Sequence, residues 1–159
     1  MGNLKILKGS DELMGSRDLK VFAQMIESQW GKVPELFSTV TFIKGKDRIF
    51  IVSRELERLS KARIRVNSSG LYVAEVKGDN IRLSIEGSQL VGPTATKNVC
   101  DVSRDQVKDW FQGKDIQVNK TYDGFVILKY EDDFVGSGRF KDGFILNFVP
   151  KARRLIDIH

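Results

Sequence analysis

The chain has 159 residues, 41% of them hydrophobic, with 26 lysines and arginines against 21 acidic residues, one histidine and a net charge of +5. That length buries roughly two-thirds of the unfolded surface, enough for one full domain or two small ones. No apolar run approaches the ~18 residues of a membrane span and no signal-peptide pattern opens the chain, so a cytoplasmic protein is expected.

Leu4, Ile6 and Leu7 either form a short edge strand or pack loosely on the body. From Ser16, read as an N-cap, the residues Leu19, Phe22, Ala23, Ile26 and Trp30 recur at helical spacing. They predict an amphipathic helix that Gly31 stops. Pro34 suits the first turn of a second, shorter helix carrying Leu36 and Phe37. Thr41 to Ser53 reads as a hairpin about Lys44-Gly45-Lys46-Asp47. A helix then runs from Arg54 to Lys61. Arg54, Arg58 and Lys61 share one of its faces, as a second basic patch or as a solvated surface laced with Glu55 and Glu57. Strand character resumes with Ile64 and Val66 inward and Arg63 and Arg65 outward. Leu71–Val76 follows the turn-rich Asn67-Ser68-Ser69-Gly70. After the turn at Lys77-Gly78-Asp79-Asn80, Ile81 to Ile85 alternates as a strand.

Gly92-Pro93-Thr94-Ala95-Thr96-Lys97 is the best linker candidate, because Gly-Pro interrupts helix and strand alike. It divides the chain into residues 1–94 and 95–159. Lys97 to Val102 is a strand in which Cys100 is a small buried residue, and a lone cysteine makes no intramolecular disulfide. Ser103 and Gln106 form a capping box for a helix carrying Val107, Trp110 and Phe111 and closed by Gly113. Asp115 to Val118 is a strand. Phe125 to Leu128 is a continuous apolar run, as in a strand covered on both sides. Glu131-Asp132-Asp133 turns the chain. Asp142-Gly143 then supplies the pair that a two-residue hairpin prefers, since both positions reach positive φ. Phe144, Leu146 and Phe148 alternate with Ile145, Asn147 and Val149, and Pro150 ends the ladder for want of an N–H. The expected fold class is α+β: an N-terminal α/β domain with an antiparallel sheet and helices, then a small β-barrel.

The positive charge is gathered in two places. Residues 44–65 carry eight lysines and arginines against three acidic residues, and residues 134–156 carry Arg139, Lys141, Lys151, Arg153 and Arg154 against Asp142 alone. Concentration of this kind favours a polyanion as partner. Gly136 and Gly138 either bring backbone amides close to a phosphate or form a strand irregularity at a barrel corner. Enzymatic chemistry finds no support. Gly136-Ser137-Gly138 lacks the third glycine of a dinucleotide site and precedes a strand, and no P-loop occurs. Glu131, Asp132 and Asp133 have no second carboxylate cluster and read as a solvated turn, not a metal site. His159, at the end of the chain, is no credible general base. No cofactor is expected.

Several C-terminal features together resemble the PUA domain. They are Gly113-Lys114-Asp115-Ile116 after an amphipathic helix, the run Gly124 to Tyr130, Gly136-Ser137-Gly138-Arg139, Gly143 with Asn147, and Pro150-Lys151-Ala152-Arg153-Arg154. The similar versions are those of archaeal relatives of the small pre-ribosomal RNA processing factor of large-subunit assembly, and the RNA-binding tail of some ribosomal RNA cytosine-C5 methyltransferases. The chain departs from the fuller pattern in lacking a Pro-Gly-Val-type loop after its helix. Residues 70–92 resemble, less specifically, the α/β domain that precedes PUA in those proteins.

The resemblance implies a PUA-like pseudo-barrel that binds structured RNA without chemistry of its own. The expected function is a non-catalytic RNA-binding protein assisting ribosomal RNA processing or modification and ribosome biogenesis. Arg139, Lys141, Lys151, Arg153 and Arg154 are the main expected contacts, extended by Lys97 and Lys114, with Arg54, Arg58 and Lys61 as the second patch. The partners expected are ribosomal RNA or the pre-ribosome, with assembly proteins, and no membrane. The alternatives are a protein-interaction adaptor and an RNA-specificity subunit acting in trans for a modification enzyme.

Overall fold

A computed structural model of the chain describes residues 4–6, 12–52 and 69–155. The first sheet is built from β1 (Leu4–Ile6), β2 (Glu12–Leu13), β3 (Thr41–Lys44), β4 (Arg48–Val52), β5 (Ser69–Lys77) and β6 (Asn80–Leu83). Its order is β1-β5-β4-β3-β2, with β6 also paired to β5, and every pairing is antiparallel. The second sheet contains β7 (Val99–Asp101), β8 (Ile116–Gln117), β9 (Phe125–Tyr130), β10 (Asp133–Lys141) and β11 (Phe144–Leu146), in the order β7-β9-β10-β11-β8. Only β7 and β9 run parallel. The ladder is open, and the helix expected from the Ser103 capping box packs into its hollow.

That helix, α3 (Arg104–Phe111), has both halves of its capping box in place. Its N-terminal neighbours are α1 (Ser16–Trp30) and α2 (Ile85–Val91). Helix α1 stops at Gly31, whose φ of 93° only glycine adopts readily. Ser16 is its first helical residue and not its cap; Gly15 holds that place without a side-chain bond. The helix expected after Pro34 is a single 3-10 turn, Glu35–Ser38. Ser84 and Ile85 leave the strand pattern, because the Ser84 hydroxyl accepts the Gly87 N–H at 2.9 Å and starts α2. The Arg54–Lys61 helix and the strand expected over 62–66 lie outside the described residues.

Two cores share strand β9. Phe125 and Ile127 enter a core with Phe22, Ile26, Trp30, Val73, Leu83 and Val91. Val126 and Leu128 enter another with Trp110, Ile116, Val135, Ile145 and Val149. Both sides of β9 are thus covered, which explains its unbroken apolar sequence. Helix α2 lies between the cores, giving Val91 to one and Ile85 to the other. The segment read as a linker is packed. Gly92 is buried with its α-carbon against the Phe134 ring, and the Thr96 N–H donates to the Trp30 carbonyl at 2.8 Å. Asn98 Nδ2 donates to the Gln29 carbonyl at 2.8 Å, Gln29 Nε2 to the Phe125 carbonyl at 2.8 Å, and Ser137 Oγ to the Leu83 carbonyl at 2.8 Å. The two sheets are therefore fastened to each other by polar bonds as well as by apolar packing.

Candidate nucleic-acid interface

The β10–β11 hairpin turns at Asp142 and Gly143 with φ of 50° and 84°, as the Asp-Gly pair leads one to expect. Its register sets Arg139 opposite Leu146 and Lys141 opposite Phe144, while β9 sets Phe125 opposite Arg139. Strand pleating puts all five side chains on the same face. Toward β9 that face is buried against the N-terminal core; toward the hairpin tip it opens to solvent. Arg139, Lys141 and Phe144 are exposed there, and neither cation has an acidic partner among the described residues.

Just past β11, Phe148 rests on Phe125 with ring centroids 5.5 Å apart and keeps 38% of its surface exposed. The Arg82 guanidinium of β6 lies over the Phe148 ring, 4.9 Å from its centroid, and is held at 3.2 Å by Glu75 of β5. Lys77, Asn80, Arg82, Phe125, Arg139 and Phe148 line an open cleft of about 230 Å³ on the seam between the two sheets, with Glu75 at its wall. Its floor is aromatic and its rim carries three cations to one anion.

The other expected contacts fare differently. Lys151 is exposed on a 3-10 turn (Lys151–Arg153), and Lys97 is exposed ahead of β7. Neither has an acidic partner among the described residues. Lys114 lies 3.5 Å from Asp109 across an exposed pair. Arg153 is engaged by Glu86 of α2, with contacts of 2.9 and 3.2 Å. Together with Arg82 and Phe148 it lines a second, smaller pocket. Arg154 donates from Nε to the Val149 carbonyl at 3.0 Å and lays its guanidinium against Gly113, whose φ of 90° favours glycine. Arg139 and Arg153 therefore each line a pocket with Phe148, whereas Arg154 and Lys114 belong to the end of α3. Arg54, Arg58 and Lys61 lie outside the described residues.

Gly136 and Gly138 take the structural option. A bulge falls between Phe134 and Gly136, and a Cβ on Gly138 would stand 2.2 Å from the Leu146 carbonyl oxygen and 2.8 Å from the Trp110 ring. Both glycines are buried against Trp110, whose Nε1 donates to the Val135 carbonyl at 3.0 Å. Cys100 is buried, and that burial pushes its thiol above its ordinary value. Burial also raises Tyr72 and Tyr122, the first against the opposing pull of Arg82 and Arg48.

Sequence reasoning missed Lys77 and Arg82. Each is an outward residue of an alternating strand, and only the docking of β5 and β6 against β10 gives either of them a site. Phe148 was visible solely as one member of an alternating run.

Comparison with known proteins covers most of the chain with relatives and the C-terminal part with a family. A ribosomal RNA small subunit methyltransferase F of Vibrio campbellii is 23% identical over 157 residues, covering 95% of this chain and 31% of that protein. One of Vibrio vulnificus is 25% identical over 88 residues, 55% of this chain and 19% of its own length. One of Vibrio parahaemolyticus is 23% identical over 120 residues, 72% and 24%. The chain thus spans less than a third of the length of these relatives. Residues 97–155, which carry Arg139, Lys141, Phe148 and Lys151, match the family described as the Methyltransferase RsmF PUA domain.

Proposed function

We propose that this chain is an RNA-binding unit in ribosomal RNA modification, holding RNA by its phosphates and performing no chemistry itself. Residues 95–159 form the RNA-binding part and residues 1–94 extend its surface. The observation that carries the proposal is the pair Arg139 and Lys141. They are exposed, without an acidic partner among the described residues, on a rigid hairpin inside the segment similar to a PUA domain. Lys151 and Lys97 join them as exposed cations. Arg153, Arg154 and Lys114 contribute charge at shorter range, since each also holds a bond within the protein.

A second reading draws on the match of residues 97–155 to a methyltransferase PUA domain: the chain confers RNA specificity in trans on a separate methyltransferase. Its test is co-purification from extract with a methyltransferase, against co-purification with pre-ribosomal particles.

The RNA proposal itself is tested by titrating small-subunit ribosomal RNA fragments at two salt concentrations. Each neutralised phosphate contributes about 0.7–0.9 to the slope of log affinity against log salt. Arg139→Glu with Lys141→Glu is expected to weaken binding strongly and flatten that slope. Unchanged affinity in this variant would leave the protein-adaptor alternative. Charge reversal at Arg154 is the poorer choice, because it would also break the bond to Val149.

A further inference from the structure

The cleft on the seam has a composition that phosphate binding alone does not call for. An ionic footprint needs cations and solvent; it does not need an exposed phenylalanine carrying an arginine on its ring. Phe148 is 38% exposed, Arg82 lies 4.9 Å over it, and Glu75 holds the guanidinium at 3.2 Å. Arg139 and Lys77 close the rim, and Asn80 offers both a donor and an acceptor at its edge. At about 230 Å³ the cleft is below the ~300 Å³ at which sites for drug-sized ligands begin, and suits one ring system.

We propose that the cleft between β5–β6 and β9–β11 is a binding site for one unpaired RNA nucleotide. Its base stacks on the Phe148–Arg82 pair and its flanking phosphates meet Arg139 and Lys77. Aromatic rings and arginine planes are the surfaces on which proteins stack bases splayed out of loops and single strands. A duplex keeps its bases inside, so it reaches the rim and not the floor. The site needs both halves of the chain, which gives the N-terminal sheet a part in RNA recognition beyond support. The inference rests on the RNA-binding reading above.

The probes are a fluorescent single-stranded RNA 12-mer of uridines and an RNA duplex of equal length, titrated against the full chain. Phe148→Leu keeps an apolar cover over Phe125. It is expected to weaken the single strand about 5- to 150-fold, the loss of one stacked base, and to leave the duplex and the salt slope unchanged. Arg139→Gln and Lys77→Gln are each expected to lower the single-strand salt slope by about 0.7. A 4-thiouridine probe, crosslinked by light to unaltered protein, is expected to mark the peptide containing Phe148, which needs no variant to fold. Crosslinks confined to other peptides, an equal loss for both RNAs in Phe148→Leu, or displacement of the single strand by polyglutamate of the same length would each overturn the site. Absence of binding by the unaltered chain to both RNAs would instead sink the RNA-binding proposal. Duplex binding that responds to Arg139→Gln, while Phe148→Leu changes nothing, would remove the nucleotide site alone.

Discussion

Gly138 shows how little slack the C-terminal core has. A methyl group there would meet a carbonyl oxygen at 2.2 Å and an indole at 2.8 Å, neither of which can swing aside. Gly138→Ala is expected to cost about 1–3 kcal/mol of stability, read as a lower urea midpoint with an unchanged slope. Asn147 is as constrained by bonds as Gly138 is by space. Its Nδ2 donates to the Trp110 carbonyl at 2.7 Å and the Lys114 carbonyl at 2.8 Å, and its Oδ1 accepts the Val149 N–H at 2.8 Å. Asn147→Ala strands these groups and is expected to cost about 2–3 kcal/mol in the same measurement. Cys100 is 5% exposed, and burial pushes its thiol above its ordinary value, which disfavours the thiolate. An aromatic disulfide reagent is expected to react at least about tenfold more slowly with the folded chain than with the denatured one. The sequence marked Cys100 as a small buried residue from its strand-like setting, and it is buried. It could not assign Gly138, whose partner Leu146 and whose ceiling Trp110 come from other elements.

At the scale of elements, local signals were reliable where the chemistry closes within four residues. The Ser103–Gln106 box is made in full, at 3.2 Å from the Gln106 N–H to Ser103 Oγ and 2.8 Å from the Ser103 N–H to Gln106 Oε1. Ser103→Ala is expected to lower stability by about 1 kcal/mol, measurable in the same urea titration. The Asp142-Gly143 turn and the Gly31 stop follow from φ preferences of single residues. Helix α2 escaped notice because it is short and opens with Glu86 one place too early for a capping box. Its stability comes from seating on β5, where Gly87 touches the Val73 carbonyl and Ser84 Oγ donates to the Tyr72 carbonyl at 2.8 Å. The 3-10 turn after Pro34 reflects the same limit, since four residues cannot sustain an α-helix without tertiary support.

The whole molecule is two sheets whose cores meet at strand β9, and its response to alkali follows from what their packing buries. Cys100, Tyr72 and Tyr122 all hold their protons more tightly when folded, chiefly through desolvation. The unfolded chain releases those protons first, near ordinary values of 9.0 for the thiol and 10.0 for the phenols. Unfolding therefore sheds protons, and stability present below about pH 9 is expected to fall as pH rises beyond it. Thermal unfolding followed from pH 7 to 11 checks this, and Tyr122→Phe is expected to shallow the decline. Among the described residues no helix is long and apolar enough to cross a membrane. The sequence by itself determined the α+β character, the strands flanking the Lys44–Asp47 and Asp142-Gly143 turns, the capped helix and the concentration of cations near the C-terminus, because each depends on period, turn chemistry or composition within a short window. Only the tertiary structure decided which cations stand free. It paired Arg153 with Glu86, 67 residues away, and set Arg82 on Phe148, because long-range packing places charged side chains by the shape of the cores beneath them.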